Sequence, residues 1–246
     1  MSFNTIQIRY QTARSLPAPY AYFYTLTARS LANKSLDIKL SITYPDRDSI
    51  DDDELIAEGY TRDDDFMWSG QLPKAWLQTV TELVNKTKLD LFSEEELDED
   101  DDYWEISVEP DNGSLRRGRP KNADSWQYLM QELIQASYEA IERERPFELT
   151  YLDLTNRQSE TEIRLIASFV ERTVKIVTSQ NRRESTKTLP WTTLQHVMAE
   201  VYNHDYEPDE AETKRPRRDG QWLNLGDEEW YDVGEFTSLT KMLRTL

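Results

Sequence analysis

The longest periodic run of apolar residues lies between Asp124 and Arg143 and predicts a central α-helix. Its apolar residues recur three and four positions apart, the spacing that places them on one helix face. They are Trp126, Leu129, Met130, Leu133, Ile134, Tyr138 and Ile141. Asp124 is placed to cap the first turn, and Pro146 prevents the helix from continuing. A helix of about 20 residues spans about 30 Å, so a large surface must cover this apolar face.

Alternation of apolar and polar residues predicts β-strands before this helix. Strands are expected at residues 6–10, 20–29, 36–42 and 103–108. The alternation is strict in 36–42, which is typical of an antiparallel sheet with one covered face. Residues 20–29 carry apolar or aromatic side chains on both faces, so either both faces are covered or one contacts a partner. Leu72-Pro73 opens a predicted helix, Leu72–Asn85, with an apolar face that includes Trp76 and Val80.

The pattern after the central helix is similar. Two or three strands are expected within residues 147–154 and 162–178, and Leu189-Pro190 opens a helix. The inward face of that helix is predicted to carry Trp191, Leu194, Val197, Met198, Val201 and Tyr202. Residues 204–219 have no periodicity and predict a long loop, and residues 239–246 predict a short terminal helix.

The two helices that open with Leu-Pro share a longer sequence match. LPKAWLQTVTELVN and LPWTTLQHVMAEVY coincide at Leu, Pro, Leu, Gln, Val and Val without a gap. This match indicates either an internal duplication or the spacing that any two amphipathic helices share. The predicted fold class is α+β, with helices packed on mainly antiparallel sheets in two similar strand-then-helix halves. We expect domains at residues 1–110 and 111–246, or both halves packed as one domain.

Composition indicates a folded chain with polar loops. Of the 246 residues, 37% are hydrophobic and 31% are charged. The 47 acidic and 29 basic residues give a net charge of -18, which repels nucleic acid and anionic membranes and suits a basic partner. The absence of cysteine excludes disulfides, thiolate metal sites and cysteine nucleophiles. The N-terminus shows no export signal and no apolar run is long enough to span a membrane, so we expect a cytoplasmic protein.

Acidic residues are concentrated in a few runs, notably 51–53, 63–65 and 94–102. The last run offers almost no apolar surface to bury, so we expect it to be mobile. Neighbouring solvated carboxylates do not have the opposed environments that a catalytic acid and base require. These runs therefore predict solvated surfaces, and a carboxylate-dependent hydrolase is kept as the second alternative function.

One short basic string, LRRGRPKN, contains Arg117-Gly118-Arg119-Pro120. This string resembles the core of the AT-hook, a short element that binds the minor groove of A·T-rich DNA. The resemblance implies groove contacts by Arg117 and Arg119 and gives the first alternative function, a DNA-associated protein. The other interpretation is a turn before the central helix. A second basic segment, Lys214–Arg218, lacks the glycine, and both segments could pair with the protein's own acidic residues.

The rest of the sequence gives little support for a catalytic, metal-binding or nucleotide-binding site. His196 and Glu200 are four residues apart on a predicted helix and could share a metal ion, but no second histidine has helical spacing. No nucleophile-elbow, Walker or dinucleotide-binding motif occurs. We therefore predict no catalytic residues, no metal site and no cofactor.

Aromatic residues are the remaining candidates for binding. The candidate partner-binding residues are Tyr20, Tyr22, Tyr24, Trp222, Trp230 and Tyr231. Tyrosine and tryptophan are enriched at binding hot spots, although the alternative is that these side chains form the core. The sequence thus predicts a non-enzymatic, cytoplasmic protein-binding or assembly protein whose acidic surface steers a basic protein partner. Nucleic acid and membrane partners are not expected.

Overall fold

Two antiparallel β-sheets with α-helices make up residues 2–156 and 160–246, the part of the chain that the computed structural model describes. The predicted α+β class is therefore confirmed. The chain divides into two compact units, residues 1–134 and 135–246.

The first unit contains a seven-stranded sheet. In chain order its elements are β1 (Phe3–Gln11), β2 (Phe23–Ser30), β3 (Leu36–Thr43), α1 (Asp52–Ala57), β4 (Phe66–Leu72), α2 (Lys74–Lys86), β5 (Leu89–Asp90), β6 (Tyr103–Pro110) and β7 (Arg116–Pro120), followed by α3 (Ala123–Ala140). The strand order across the sheet is β4-β3-β2-β1-β6-β7-β5, and neighbouring strands are antiparallel.

Alternation of side chains explains these strands. Ile6, Ile8 and Tyr10 of β1 are buried, whereas Gln7 and Arg9 between them are exposed. One face of the sheet is therefore covered and the other is polar. The strands predicted at 6–10, 36–42 and 103–108 are confirmed. The strand predicted from residue 20 begins only at Phe23, so the preceding tyrosines lie in the loop before it.

Helix α2 confirms the first Leu-Pro helix. Trp76, Val80 and Val84 are buried, one turn apart on one side of the helix. Pro73 occupies the N-cap position, and the helix ends with Thr87 in an extended conformation. The Thr87 side chain accepts a hydrogen bond from the indole of Trp126 at 2.9 Å, which connects the end of α2 to α3.

The basic string before α3 is a strand, and the predicted turn at this position was wrong. β7 pairs with β6 on one side and with β5 on the other. Glycine is required at 118 because a Cβ atom there would lie 2.2 Å from the carbonyl oxygen of Asp90. The glycine of the AT-hook-like string thus allows β5 to approach β7 closely.

The central helix is confirmed with different ends. It begins at Ala123, so Asp124 lies in its first turn and does not cap it. It ends before Pro146 because Glu142 adopts a left-handed conformation (φ 59°). The amides of Glu142 and Arg143 then donate to the carbonyls of Glu139 and Tyr138, which is the Schellman pattern of a helix C-terminus.

The division between the units falls inside α3, after Ile134. The sequence analysis placed the boundary after residue 110. Residues 116–120 belong with the first unit because β7 pairs with β6. The start of α3 does so as well, through the bond between Trp126 and Thr87.

The second unit contains a six-stranded sheet and two further helices. Its elements are β8 (Phe147–Asp153), β9 (Thr161–Ser168), β10 (Thr173–Gln180), β11 (Arg183–Leu189), α4 (Thr192–Val201), β12 (Gln221–Asn224), β13 (Trp230–Asp232) and α5 (Thr237–Thr245). The strand order is β11-β10-β9-β8-β12-β13, again antiparallel between neighbours.

One apolar core joins this sheet to its helices. It includes Leu149, Leu165 and Ile176 of the strands, with Leu194 of α4 and Leu239 of α5. The second Leu-Pro helix is therefore confirmed, except that Tyr202 follows the helix and is exposed. The periodicity did not predict β11, because none of its side chains is buried. It is joined to β10 by Asn181 and Arg182, both with positive φ, as in a type I′ hairpin turn.

Both units have the same order of strand pairing. In each, four consecutive strands form a meander that leads into a helix, α2 or α4. A later strand, β6 or β12, pairs with the first strand of the meander, and one more strand, β7 or β13, pairs with it. The two-residue β5, which pairs with β7, belongs to the first unit alone among the described residues. A closing helix follows, α3 or α5. The two Leu-Pro helices occupy equivalent places in this order, and a common origin of the two halves stays a prediction.

We predict that Gly118→Ala destabilises the first unit by about 1 to 3 kcal/mol, because the added Cβ would collide with the backbone of β5. Urea unfolding followed by tryptophan fluorescence measures the change. Ser114→Ala, at an exposed position in the β6–β7 turn, is the control and should change the free energy of unfolding by less than about 0.5 kcal/mol. Equal effects of both variants would contradict the role given to Gly118.

Candidate protein-binding surface

Two acidic segments of the first unit contact one loop. Residues 46–65 contain ten aspartates and glutamates, and residues 94–102 contain eight. Both segments make hydrogen bonds to residues 12–22, the loop between β1 and β2. We call these two segments, together with the loop, the acidic end of the first unit.

Residues 94–102 contact the first part of the loop. The carboxylate of Asp102 accepts hydrogen bonds from the Tyr10 hydroxyl and the Ala13 amide, both at 2.9 Å. The Ser15 amide donates to the Glu99 carbonyl at 3.0 Å, and the Arg14 guanidinium donates to the Leu97 carbonyl at 2.9 Å. Four hydrogen bonds therefore connect this run to the sheet and loop, whereas the sequence analysis expected the run to be mobile.

Residues 46–65 contact the second part of the loop through Arg47. This side chain is only 2% exposed. Its guanidinium donates to the Pro19 carbonyl at 3.1 and 3.3 Å and to the Thr61 carbonyl at 2.8 Å. It also forms an ion pair with Asp64. The arginine thus connects the loop to both ends of the acidic segment.

Aromatic rings enclose the same guanidinium. The Arg47 Cζ atom lies 4.0 Å from the centre of the Tyr44 ring and 4.7 Å from that of Tyr60. Burial alone would raise the pKa of Asp64, but hydrogen bonds from Thr61 and the charge of Arg47 lower it below its ordinary value. Asp64 therefore remains ionised as the partner of the buried arginine.

Arg62 organises the start of α1. It forms an ion pair with Asp52 at 2.5 Å and donates to the carbonyl of Ile50 at 2.7 Å. Asp51 caps the helix by accepting from the Asp53 amide at 3.0 Å. Nine of the ten carboxylates in this segment are nevertheless at exposed positions, so most of its negative charge faces solvent.

Apolar side chains are exposed within the acidic end. Tyr20 is 41% exposed, and Ile56 of α1 is 67% exposed. The Tyr20 hydroxyl donates to Glu58 at 2.9 Å, and its ring meets the edge of Tyr60 at 5.9 Å between centroids. Leu16, in the same loop, is also exposed. Charged and apolar groups are thus combined on one surface, as in the rim and centre of protein interfaces.

The other two tyrosines predicted to bind a partner lie deeper. Tyr24 is 3% exposed, and its ring stacks on Tyr10 at 4.9 Å, so it belongs to the core. Burial raises the pKa of Tyr24 and, together with Tyr22 and Asp102, that of Tyr10. Tyr22 is half-buried against Tyr10 and Tyr44. Of the three, only Tyr20 presents a large exposed surface.

The aromatic candidates of the second unit are also mostly covered. Trp222 is 0% exposed, with the guanidinium of Arg218 4.5 Å from its ring centre, so it is a core residue. Trp230 and Tyr231 are half-buried. The Tyr231 hydroxyl donates to Glu229, and this hydrogen bond raises the pKa of Tyr231 to about 12.

The two basic segments pair with acidic residues of this chain, as one sequence hypothesis proposed. Arg117 forms an ion pair with Glu105 at 2.5 Å, and Lys121 pairs with Asp90 at 3.1 Å. The backbone of Arg119 pairs with that of Asp90. In the second segment Arg215 pairs with Glu160 and Glu162, and Arg218 pairs with Glu212. The AT-hook-like string is thus a strand that is paired on both sides, and the charge of Arg117 is balanced by that of Glu105.

The sequence analysis considered a metal ion shared by His196 and Glu200 and predicted no metal site. Glu200 instead contacts His204 at 3.4 Å and accepts from the Ser238 hydroxyl at 2.5 Å. The ring of His204 stacks on Phe236. A group of three or more histidines and carboxylates arranged to hold a metal ion is not found among residues 2–156 and 160–246.

Sequence reasoning missed the residues that hold the acidic end together. Asp102 was counted only as a member of a charge run, and Arg47 was not singled out. The available signal was an arginine three residues after Tyr44, one of two arginines inside a strongly acidic segment. Such an arginine is placed to form a buried ion pair or to stack on an aromatic ring.

We predict that Asp64 makes stability depend on pH. Its pKa is about 3.9 in the unfolded chain and lower in the folded protein. Its contribution is therefore complete above about pH 5 and is lost as the pH falls through the folded pKa. Asp64→Asn removes this contribution, so the free energy of unfolding should fall less steeply between about pH 5 and pH 3. The exposed neighbour Asp63→Asn is the control, and matching pH profiles for the two variants would refute the prediction.

Comparison with known proteins identifies no relative of this chain. No family model, no curated protein and no solved structure matches it. Within the described residues, no helix is long and apolar enough to cross a membrane. A functional assignment must therefore depend on the contacts and charges of the chain itself.

Proposed function

We propose that this chain is a non-enzymatic, cytoplasmic protein-binding or assembly protein, and that the acidic end of the first unit binds a basic protein partner. One observation carries the proposal: two acidic segments that are about 30 residues apart in sequence are both hydrogen-bonded to the β1–β2 loop. The fold thereby concentrates negative charge on one surface. Such concentration attracts an oppositely charged partner and raises its association rate by about 10- to 1,000-fold.

The exposed apolar groups support a protein as the partner. Tyr20 and Ile56 are available for close packing, whereas the surrounding carboxylates provide the polar rim. A tyrosine whose hydroxyl is already oriented by Glu58 loses little side-chain entropy on binding. The partner best suited to this surface presents lysine or arginine side chains around a small apolar patch.

The alternative functions receive less support. A DNA-binding AT-hook needs an extended string free to enter the minor groove, whereas residues 116–120 form a strand paired on both sides. A hydrolase needs a general acid with a raised pKa. The pKa values of Asp64, Asp153 and Glu200 are instead lowered, mainly by hydrogen bonds that oppose the effect of burial.

We predict that neutralising the acidic end slows association with the partner. The partner is first captured from cytoplasm on the tagged 246-residue chain and identified by mass spectrometry. The test variant combines Asp98→Asn, Glu99→Gln, Asp100→Asn and Asp101→Asn, and it leaves Asp102 in place because that residue anchors the loop. The association rate at low salt should fall by about tenfold or more, since steering depends on local charge.

The control changes the same net charge in the second unit. It combines Glu207→Gln, Asp209→Asn, Glu210→Gln and Glu228→Gln, all at exposed positions. This variant should associate at nearly the rate of the natural chain. Equal slowing in both variants would show a general charge effect, and an unchanged rate in the test variant would refute the proposed surface. Circular dichroism confirms that both variants are folded.

We also predict that the chain does not bind A·T-rich duplex DNA with submicromolar affinity at about 50 to 150 mM salt, because the four basic residues at 116–121 could release few counterions against a net charge of -18. Gel shifts measure this binding directly. A submicromolar complex that is lost on changing Arg117 and Arg119 to Ala would favour the DNA alternative.

A further inference from the structure

Within residues 2–156 and 160–246 the two sheets end in four edge strands, and one of them is long and uncharged. Natural proteins protect sheet edges with short strands, charged side chains, proline or a covering segment. Among the described residues the edges are β4, β5, β11 and β13. β5 has two residues, and β13 has three and is bridged to Glu212. β11 has seven residues, of which Arg183, Glu184 and Lys187 are charged.

β4 is neither short nor charged. Its seven residues, FMWSGQL, include no charged residue and no proline, although 31% of the chain is charged. Met67 is 82% exposed, and Ser69 and Gln71 are also exposed. In the sheet order only β3 pairs with β4. An uncharged edge of this length is a template for pairing with another strand.

We infer that β4 is a dimerisation edge, which pairs antiparallel with β4 of a second copy of this chain around a twofold axis at Ser69. A twofold axis perpendicular to the sheet keeps the covered faces of both sheets on the same side. Such an axis passes between one residue and the same residue of the second copy, because directly opposed residues of an antiparallel pair lie on the same face of the sheet. Ser69 is the middle residue of β4.

The strand sequence suits this register. Phe66 faces Leu72 of the second copy, both on the covered face, and Met67 faces Gln71 on the exposed face. Trp68 faces Gly70 of the second copy, and Ser69 faces itself. The first of these pairs is apolar, the second is uncharged, and the third sets an aromatic ring opposite glycine. Cross-strand pairs of these kinds stabilise the pairing of β-strands. No like charges are opposed within the strand.

The indole of Trp68 lies against Gly70 in the same strand. A Cβ atom at position 70 would lie 2.4 Å from the Cζ2 atom of Trp68 in the same strand. Glycine therefore leaves room for an indole along the edge. In the dimer the two indoles and two glycines alternate across the new strand pair.

Charges at the two ends of β4 complement each other. Asp63 and Asp65 precede the strand, and Lys74 follows it at the exposed start of α2. Antiparallel pairing brings the acidic end of one strand beside Lys74 of the other copy. This attraction acts at short range, whereas the net charge of -18 on each copy repels the second copy over longer distances. Added salt screens the long-range repulsion, so dimerisation should strengthen with moderate salt.

A charge introduced at the twofold axis tests the register. Sedimentation equilibrium of the 246-residue chain should show a concentration-dependent dimer. Ser69→Lys and Ser69→Glu each place two like charges opposite one another, so each should raise the dissociation constant by about tenfold or more. An equimolar mixture of the two variants should recover the dimer as a heterodimer, which also shows that both variants are folded. Ser185→Lys, at an exposed position within β11, is the matched control and should leave the dimer unchanged.

A cross-link gives an independent test, because the chain has no cysteine. Ser69→Cys places single thiols opposite each other at about 4.5 to 5.5 Å between Cα atoms, within the range of a disulfide. Mild oxidation should give a covalent dimer, and Ser185→Cys should not. A natural chain that is monomeric at every concentration, or a dimer that the mixture of Ser69 variants does not recover, would overturn the inference. Because no basic partner is present, these results do not depend on the proposed function.

Discussion

The acidic end depends on one buried guanidinium. Arg47 joins the carbonyls of Pro19 and Thr61 to the carboxylate of Asp64, and the rings of Tyr44 and Tyr60 cover it. A buried charge is tolerated only when its donors are paired, so these contacts must form together. The carboxylates near this arginine repel one another and cannot gather by themselves. The arginine, with Asp102 on the other side of the loop, therefore makes a concentrated negative surface compatible with a folded chain.

Apolar periodicity predicted the elements that are covered on one face. The central helix, both Leu-Pro helices and the strands with alternating burial follow directly from it, because burial of one face imposes that period on the sequence. β11 was missed because its side chains are exposed, and β7 because its charged string also fits a turn. The core positions of Tyr24 and Trp222 were left open, since aromatic side chains serve both cores and interfaces. Arg47 donates to carbonyls 14 and 28 positions away, a relation that local patterns do not contain.

Charge acts differently on the two proposed interactions. Binding of a basic partner at the acidic end is favoured by long-range attraction, so added salt should weaken it. Pairing of two β4 edges brings two like-charged chains together, so screening should help it. The first interaction uses charge concentrated by hydrogen bonds, and the second uses a strand from which charge is absent. The same sheet thus presents two surfaces with opposite responses to ionic strength.

The most direct test of the central claim is zero-length cross-linking of the captured complex, which joins carboxylates of this chain to lysines of the partner that are in contact. Mass spectrometry of the cross-linked peptides then maps the bound surface without any substitution. The account predicts that the links fall on residues 46–65 and 94–102, which contain eighteen of the 47 acidic residues. Links that fall mainly on the acidic residues of 205–235, or that are spread evenly over the chain, would contradict it.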